Sequence, residues 1–238
     1  MALLFDDYHD GVKSVSKCKE GIAMNHLICQ TNELLCNQSF EYAFCGGYAI
    51  DLFLNYESRK HGDIDIFAYW QDRDKIIKYM QSLDYEVYEM LGNGKGHHIT
   101  DIGMQYKVKS NIFCCKKNCE LVSFSRTNEK DIYFIDFKRI GQSKLNFIEF
   151  LFNEKTDSDF IYSRNKEIKR NLKETILYNK DFPFLAPEIC LLYKSTDVDR
   201  EGYQQDYDLA IKEMNREQIA WLNSALARVN PNGHKWLL

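Results

Sequence analysis

Apolar and polar positions along the chain follow alternating and helical patterns that predict its strands and helices. Helical spacing predicts a helix between Ala23 and Cys36 and a second, amphipathic helix between Gln71 and Leu83. Alternation in F-E-Y-A-F predicts the first core strand over Phe40–Phe44. Further strands are predicted over Tyr85–Leu91, within 104–139 and over Leu145–Glu154, whereas residues 1–24 are weakly patterned and are expected to be helical or irregular.

A strand with two aspartates follows the first core strand. In D-I-D-I-F, successive side chains point to opposite faces, so Asp63 and Asp65 share one face while Ile64 and Ile66 share the other. Two carboxylates about 6–7 Å apart along a strand repel each other unless a cation lies between them. Mg²⁺ is a hard cation that binds carboxylate oxygens together with phosphates of a substrate. The pattern therefore predicts a metal site.

A pair of glycines lies between the two strands. Gly46 and Gly47 allow the backbone to approach an anion closely, and they precede a short predicted helix over Ala49–Asn55. The amide groups at the start of such a helix point towards an anion. A phosphate-binding turn followed by metal-binding carboxylates is the arrangement expected of an enzyme that acts on nucleotide phosphates.

Composition and charge limit the partners that the chain can have. Its 238 residues are 45% hydrophobic and contain only three prolines, which is typical of a globular protein with a sizeable core. The formal net charge of −4 disfavours a nucleic-acid partner and leaves room for a cationic small substrate. No apolar stretch is long enough to span a membrane. Eight scattered cysteines indicate reduced thiols, as expected in the cytoplasm.

A third acidic residue lies in the apolar strand L-N-F-I-E-F-L-F-N-E. Glu149 is costly in such a strand unless it is paired, protonated or bound to a metal, so it is a candidate site residue. Asp136, in F-I-D-F, is the competing choice for a third carboxylate.

These motifs carry a resemblance to a known family. G-G-Y-A-I-D-L-F-L, followed by Arg59, His61 and the D-I-D-I strand, resembles the nucleotidyltransferases that inactivate aminoglycoside and lincosamide antibiotics. These enzymes belong to the polymerase-beta-like superfamily. The resemblance implies an α/β (α+β) nucleotidyltransferase fold with a mixed, mostly antiparallel sheet and a small helical C-terminal domain. It implies a catalytic domain over residues 1–175 and a helical domain over 176–238.

The resemblance also assigns roles to individual residues. The strand I-E-F-L-F-N matches the family strand that supplies the third active-site carboxylate, which favours Glu149 over Asp136. Asp63, Asp65 and Glu149 are then the catalytic and metal-binding residues. Gly46, Gly47, Arg59 and Lys194 are the implied nucleotide-binding residues, with ATP or another nucleoside triphosphate as substrate and Mg²⁺ as cofactor. Two positions depart from the family pattern: Ser163 replaces an arginine beside Arg164, and Gly202 replaces a lysine.

The implied activity is transfer of a nucleoside monophosphate to a hydroxyl group of a small molecule, such as an aminoglycoside or lincosamide antibiotic, with release of pyrophosphate. One alternative is a nucleotidyltransferase of the toxin–antitoxin type that modifies a protein. Another is a nucleotide-binding module without catalysis, which the three intact acids argue against. An RNA-terminal transferase is disfavoured by the negative net charge. A homodimer is left open.

Overall fold

The computed structural model describes residues 25–101, 110–138 and 140–237, so the predictions for residues 1–24 and for most of the segment 104–110 lie outside the described residues. The helices of the described part are α1 His26–Leu35, α2 Gly46–Leu54, α3 Arg73–Ser82, α4 Pro187–Lys194, α5 Tyr203–Glu213 and α6 Arg216–Val229. Its strands are β1 Tyr42–Phe44, β2 Asp65–Tyr69, β3 Glu86–Gly92, β4 Lys95–His98, β5 Ile112–Cys115, β6 Val122–Arg126, β7 Ile132–Phe137, β8 Phe147–Lys155, β9 Asp159–Ile161, β10 Lys169–Asn171, β11 Ile176–Asn179 and β12 Phe182–Leu185.

The strands of the described residues form one mixed sheet in the order β11-β12-β1-β2-β8-β5-β3-β4-β7-β6, with β9 and β10 paired beside β8. The pairs β1–β12 and β2–β8 are parallel, whereas the other neighbouring strands are antiparallel. This arrangement, with helices packed against the sheet, confirms the predicted fold class.

The parallel pair β2–β8 fixes the centre of the sheet. Asp65 lies directly opposite Glu149 in this pair, and the Glu149 amide donates a hydrogen bond of 2.9 Å to the carbonyl oxygen of Ile64. Because the side chains of a strand alternate between its faces, this register places both carboxylates on one face of the sheet. The two predicted acidic strands are therefore adjacent, although β3 to β7 lie between them in sequence.

Two element boundaries differ from the predictions. Helix α2 begins at Gly46 and not at Ala49, so the two glycines form its first turn. Neighbouring side chains occupy the space that a Cβ atom at either position would need. Residues 176–185, which the predicted division assigns to the helical domain, form β11 and β12 and extend the sheet beside β1. The C-terminal helices begin at Pro187, which is the first residue of α4. Division of the chain into two domains remains a prediction.

Two hydrophobic clusters stabilise the sheet. The larger one packs β1, β2 and β8 against the helices and includes the fully buried side chains of Ile66 and Phe150. The smaller one lies over the β3–β7 part of the sheet, where the rings of Tyr88, Phe113 and Phe124 stack on one another with centroids 4.6–6.3 Å apart. Among the described residues, no helix has the length and apolar character needed to cross a membrane.

Candidate active site

Three carboxylates meet at the start of the parallel strand pair. Asp63 precedes β2, Asp65 is its first residue, and Glu149 lies opposite Asp65 on β8. One carboxylate oxygen from each of the three side chains lies within 4.8 Å of the others, and we call this group the carboxylate cluster. Asp136 lies on β7 opposite Ser123 and is exposed, so the structure brings together Asp63, Asp65 and Glu149 and leaves Asp136 outside the cluster.

Burial and mutual repulsion make the ionised form of this cluster unfavourable. Burial raises the pKa of Asp65 to about 7, with a further contribution from the negative charge of Asp63. Burial likewise raises the pKa of Glu149 to about 8, helped by the charges of Asp65 and Asp63. The positive charge of Arg200 acts in the opposite direction on both groups. Oxygen-only ligands that repel one another are suited to a hard divalent cation.

Gly46 lies directly against the carboxylate cluster. It is the first residue of α2 and has a φ of +64°, a conformation that residues with a side chain rarely adopt. A Cβ atom at this position would lie 2.2 Å from Oδ2 of Asp65. The glycine therefore lets the carboxylate of Asp65 approach the first turn of the helix, where backbone amide groups lack partners within the helix.

Gly47 makes room for a different pair of side chains. A Cβ atom there would lie 2.1 Å from Nδ1 of His61 and 3.0 Å from Nη2 of Arg59. Both glycines thus have a packing role. Gly46 makes room for Asp65, and Gly47 makes room for His61 and Arg59. Their role in binding phosphate stays a prediction.

Asp51, on the buried side of α2, holds the loop that carries Arg59 and His61. It accepts hydrogen bonds from Nε2 of His61 at 2.6 Å and from the amide and hydroxyl groups of Ser58 at 3.0 and 2.5 Å. The imidazole also packs on the ring of Tyr48, with centroids 4.4 Å apart. The sequence contained a signal for Asp51 that we did not use, because a lone acid in the apolar helix Y-A-I-D-L-F-L needs a partner just as Glu149 does.

Arg59 and Lys194 meet at one buried carboxylate, that of Asp206 on α5. Arg59 donates from Nε and Nη2 to the two oxygens of Asp206, each at 2.9 Å, and Nζ of Lys194 lies 2.8 Å from Oδ2. Burial alone would raise the pKa of Asp206, but the hydrogen bonds from Arg59 and the charge of Lys194 lower it. We call these three residues the Asp206 cluster. Two cations share one anion, so one unit of positive charge remains there.

The Asp206 cluster lies next to the carboxylate cluster. Nη2 of Arg59 lies beside Gly47, the neighbouring Gly46 packs against Asp65, and the positive charge of Lys194 lowers the pKa of Asp65. The two predicted cations are therefore close to the predicted acids, although they come from a loop before β2 and from α4. Sequence reasoning missed Asp206 as their shared partner.

Gly202 explains one departure from the family pattern. It has a φ of +83° just before α5, and a Cβ atom at this position would lie 2.7 Å from Nε of Arg59. A lysine in this backbone conformation would displace Arg59 from Asp206. The glycine is thus coupled to the position of Arg59.

Arg164 has a structural role at the end of α4. Its Nη1 group donates to the carbonyl oxygen of Tyr193 at 2.9 Å and to the hydroxyl group of Thr196 at 2.6 Å. The guanidinium group also lies over the ring of Tyr193, 5.2 Å from its centroid. Arg164 therefore binds the end of α4 and the turn that follows it.

A cavity of about 190 Å³ lies towards the other end of β8. It is lined in part by Trp70, Phe152 and Asn153 and by none of the predicted site residues. The site is therefore defined by the chemistry of the two charged clusters and not by this cavity.

Comparison with solved structures identifies the class of fold. One similar structure is a lincosamide antibiotic adenylyltransferase, LnuA, with lincomycin bound; it has a TM-score of 0.50 and 13% sequence identity, with 82% of this chain and 100% of that chain covered. Another is ANT(2")-Ia in complex with adenylyl-2"-tobramycin, with a TM-score of 0.50, 11% identity, and 86% and 99% of the two chains covered. At these identities the likeness shows the fold, which is that of the antibiotic nucleotidyltransferases, as the sequence motifs predict.

Sequence comparison adds no closer assignment. No protein family model matches the chain, and no curated protein matches it significantly.

Proposed function

We propose that the chain is a magnesium-dependent nucleotidyltransferase that transfers a nucleoside monophosphate to a hydroxyl group of a small molecule. The proposed donor is ATP, the transferred group is AMP, and the acceptor is an aminoglycoside or lincosamide antibiotic. The observation that carries the proposal is the meeting of Asp63, Asp65 and Glu149 within 4.8 Å in a nucleotidyltransferase fold.

The carboxylate cluster fits a divalent cation. Its donors are all carboxylate oxygens, and their repulsion is what a bound cation would relieve. Asp63, Asp65 and Glu149 would hold Mg²⁺, which when bound would neutralise charge on the phosphate oxygens during transfer.

Glu149 is proposed as the general base. The acceptor oxygen attacks the α-phosphorus, so that a new P–O bond forms while the bond to the bridging oxygen breaks and its electron pair leaves with pyrophosphate. Glu149 accepts the proton from the acceptor hydroxyl. A carboxylate in this cluster would lie beside the attacking hydroxyl group, which is the position that a general base needs.

The Asp206 cluster and the start of α2 are proposed to position the polyphosphate. The cluster retains one positive charge from Arg59 and Lys194, and the first turn of α2 presents backbone amide groups at Gly46 and Gly47. The ion pair with Asp206 fixes both cations in place before substrate binds, which lowers the entropy lost on binding.

The proposed acceptor class follows from charge and from the similar structures. A cleft lined by carboxylates attracts a polycationic aminoglycoside, and the net charge of −4 acts in the same direction. One similar structure carries lincomycin and the other an adenylylated tobramycin, so both antibiotic classes belong in the test.

The first test measures pyrophosphate release from each nucleoside triphosphate with Mg²⁺ against a panel of aminoglycosides and lincosamides. We expect release that requires one antibiotic class and is abolished in Asp63→Asn, because that variant removes a cation ligand. Asp136→Asn is the matched control: it changes the competing acid outside the cluster and should leave release unchanged.

The outcomes separate the alternatives. Magnesium-dependent nucleotide binding without release on any antibiotic would overturn the proposed acceptor and direct the search to protein hydroxyl groups. Full activity of Asp63→Asn would overturn the assignment of the cation site. Absence of both release and nucleotide binding would overturn the proposed function as a whole.

A further inference from the structure

Arg200 lies in the turn between α4 and α5, beside the residues of the candidate site. Its amide donates to the carbonyl oxygen of Asp197 at 3.0 Å, and its own carbonyl oxygen accepts from the amide of Tyr203 at 3.1 Å. Gly202, in the same turn, packs against Arg59. The turn that carries Arg200 is therefore held next to the Asp206 cluster.

The guanidinium group of Arg200 is available to a ligand. It is exposed and forms no ion pair or side-chain hydrogen bond within residues 25–101, 110–138 and 140–237. Its contact is with the ring of Tyr203, whose centroid lies 5.3 Å away. Lys194 lies 4.2 Å from the same centroid, but its charge is paired with Asp206. One aromatic ring thus supports a paired cation and an available one.

Packing contacts also connect the turn of Arg200 to the carboxylate cluster. Gly202 packs against Arg59, Nη2 of Arg59 lies beside Gly47, and the preceding residue, Gly46, packs against Asp65. Within the described residues, the guanidinium group of Arg200 donates no hydrogen bond to Asp65 or Glu149, so its donors remain available to an anion. An anion held at the carboxylate cluster by a cation would lie within the field of Arg200.

We propose that Arg200 binds the β- and γ-phosphates of the nucleoside triphosphate and retains its hold on pyrophosphate as this leaves. The proposal rests on the proposed function. A guanidinium group offers a planar fork of donors that matches two phosphate oxygens at once. Tyr203 positions this fork by packing against it, while Asp206 holds two other cations, Arg59 and Lys194, nearby.

The test compares nucleotide binding by the full chain and by Arg200→Gln, using calorimetry with ATP, with AMP and with Mg²⁺ present. We expect the dissociation constant for ATP to rise about 10- to 100-fold, the usual loss for hydrogen bonds to charged groups. The value for AMP, which lacks the two outer phosphates, should stay within about twofold. Arg200→Lys keeps the charge but not the fork, and should recover only part of the loss.

Arg216→Gln is the matched control, because Arg216 is an exposed arginine at the start of α6, away from this turn. It should bind ATP as the unchanged chain does, and both variants should unfold at the temperature of the unchanged chain.

ATP binding by the unchanged chain shows which of the two proposals has failed. If it binds ATP and Arg200→Gln binds equally well, only the role of Arg200 is overturned. An equal loss for ATP and AMP would also overturn that role, since the outer phosphates would then not be the target. If the unchanged chain binds no nucleotide, the proposed function and this inference fail together.

Discussion

The two charged clusters of the candidate site shift the pKa values of their acids in opposite directions. In the carboxylate cluster, Asp65 and Glu149 lie among like charges and their pKa values are raised. In the Asp206 cluster, one acid lies between two cations and its pKa is lowered. A proton or a cation would reduce the repulsion within the carboxylate cluster, whereas Arg59 and Lys194 already neutralise the charge of Asp206. The difference separates acids whose charges repel one another from an acid whose charge is neutralised within the chain.

The comparison predicts that removing an acid has opposite effects in the two clusters. Asp206→Asn should destabilise the protein most, because it leaves Arg59 and Lys194 without their buried partner. Loss of one member of a buried ion pair costs about 3–5 kcal/mol, which for a chain of this size lowers the melting temperature by about 6–20 °C. Thermal unfolding measures this effect. An unchanged melting temperature would mean that the cluster adds nothing to stability.

Glu149→Gln should stabilise the metal-free protein at high pH. The folded-state pKa of Glu149 is raised, so its contribution to stability is complete at low pH and is lost as the pH rises through about 8. At pH 9 the neutral glutamine removes the repulsion between the ionised carboxylate of Glu149 and those of Asp65 and Asp63. We expect the free energy of unfolding to rise by roughly 1–3 kcal/mol. At pH 5 the variant should gain little.

Denaturant unfolding of both proteins at the two pH values measures this difference, and Asp136→Asn should show none of it. Equal destabilisation by Glu149→Gln at pH 5 and pH 9 would contradict the proposed repulsion. Proton release on addition of Mg²⁺ offers a second measurement, since a cation displaces protons from carboxyls of raised pKa.

The smallest effect is expected at Gly202, which links the turn of Arg200 to Arg59. Gly202→Ala forces a side chain into a left-handed conformation, at a cost of about 1–2 kcal/mol, and places a Cβ atom against Arg59. In the background of Arg59→Ala the contact is absent, so part of the cost should disappear. A double-mutant cycle measures this coupling, and strictly additive effects would show that the glycine does not position Arg59.

Local sequence patterns predicted the parts of the site that local geometry determines. The alternation in D-I-D-I-F placed Asp63 and Asp65 on one face and indicated a cation site. Glu149 was a candidate because an acid in an apolar strand needs a partner, and the resemblance of I-E-F-L-F-N to the family strand favoured it over Asp136. The lysine on α4 was found by its resemblance to the family pattern, and Pro187 marked the start of its helix. These features depend on a few consecutive residues.

Other features depend on contacts that no local pattern encodes. The pairing of Arg59 with Asp206 joins residues 147 positions apart, and periodicity contains no information about such a partner. The need for glycine at the first two positions of α2 comes from the side chains of Asp65 and His61, which lie later in the chain. The addition of β11 and β12 beside β1 likewise depends on a long-range pairing. Tertiary contacts overrode local propensity at each of these places.

The long reach of the Asp206 cluster has a consequence for the growing chain on the ribosome. The three acids can assemble once β8 has emerged and paired with β2, but Arg59 has no buried partner until α5 has been synthesised. A nascent chain that ends after β8 would therefore contain the carboxylate cluster but not the complete Asp206 cluster. Closing so long a loop costs chain entropy, so the charge balance of the site is one of the last features that synthesis can provide.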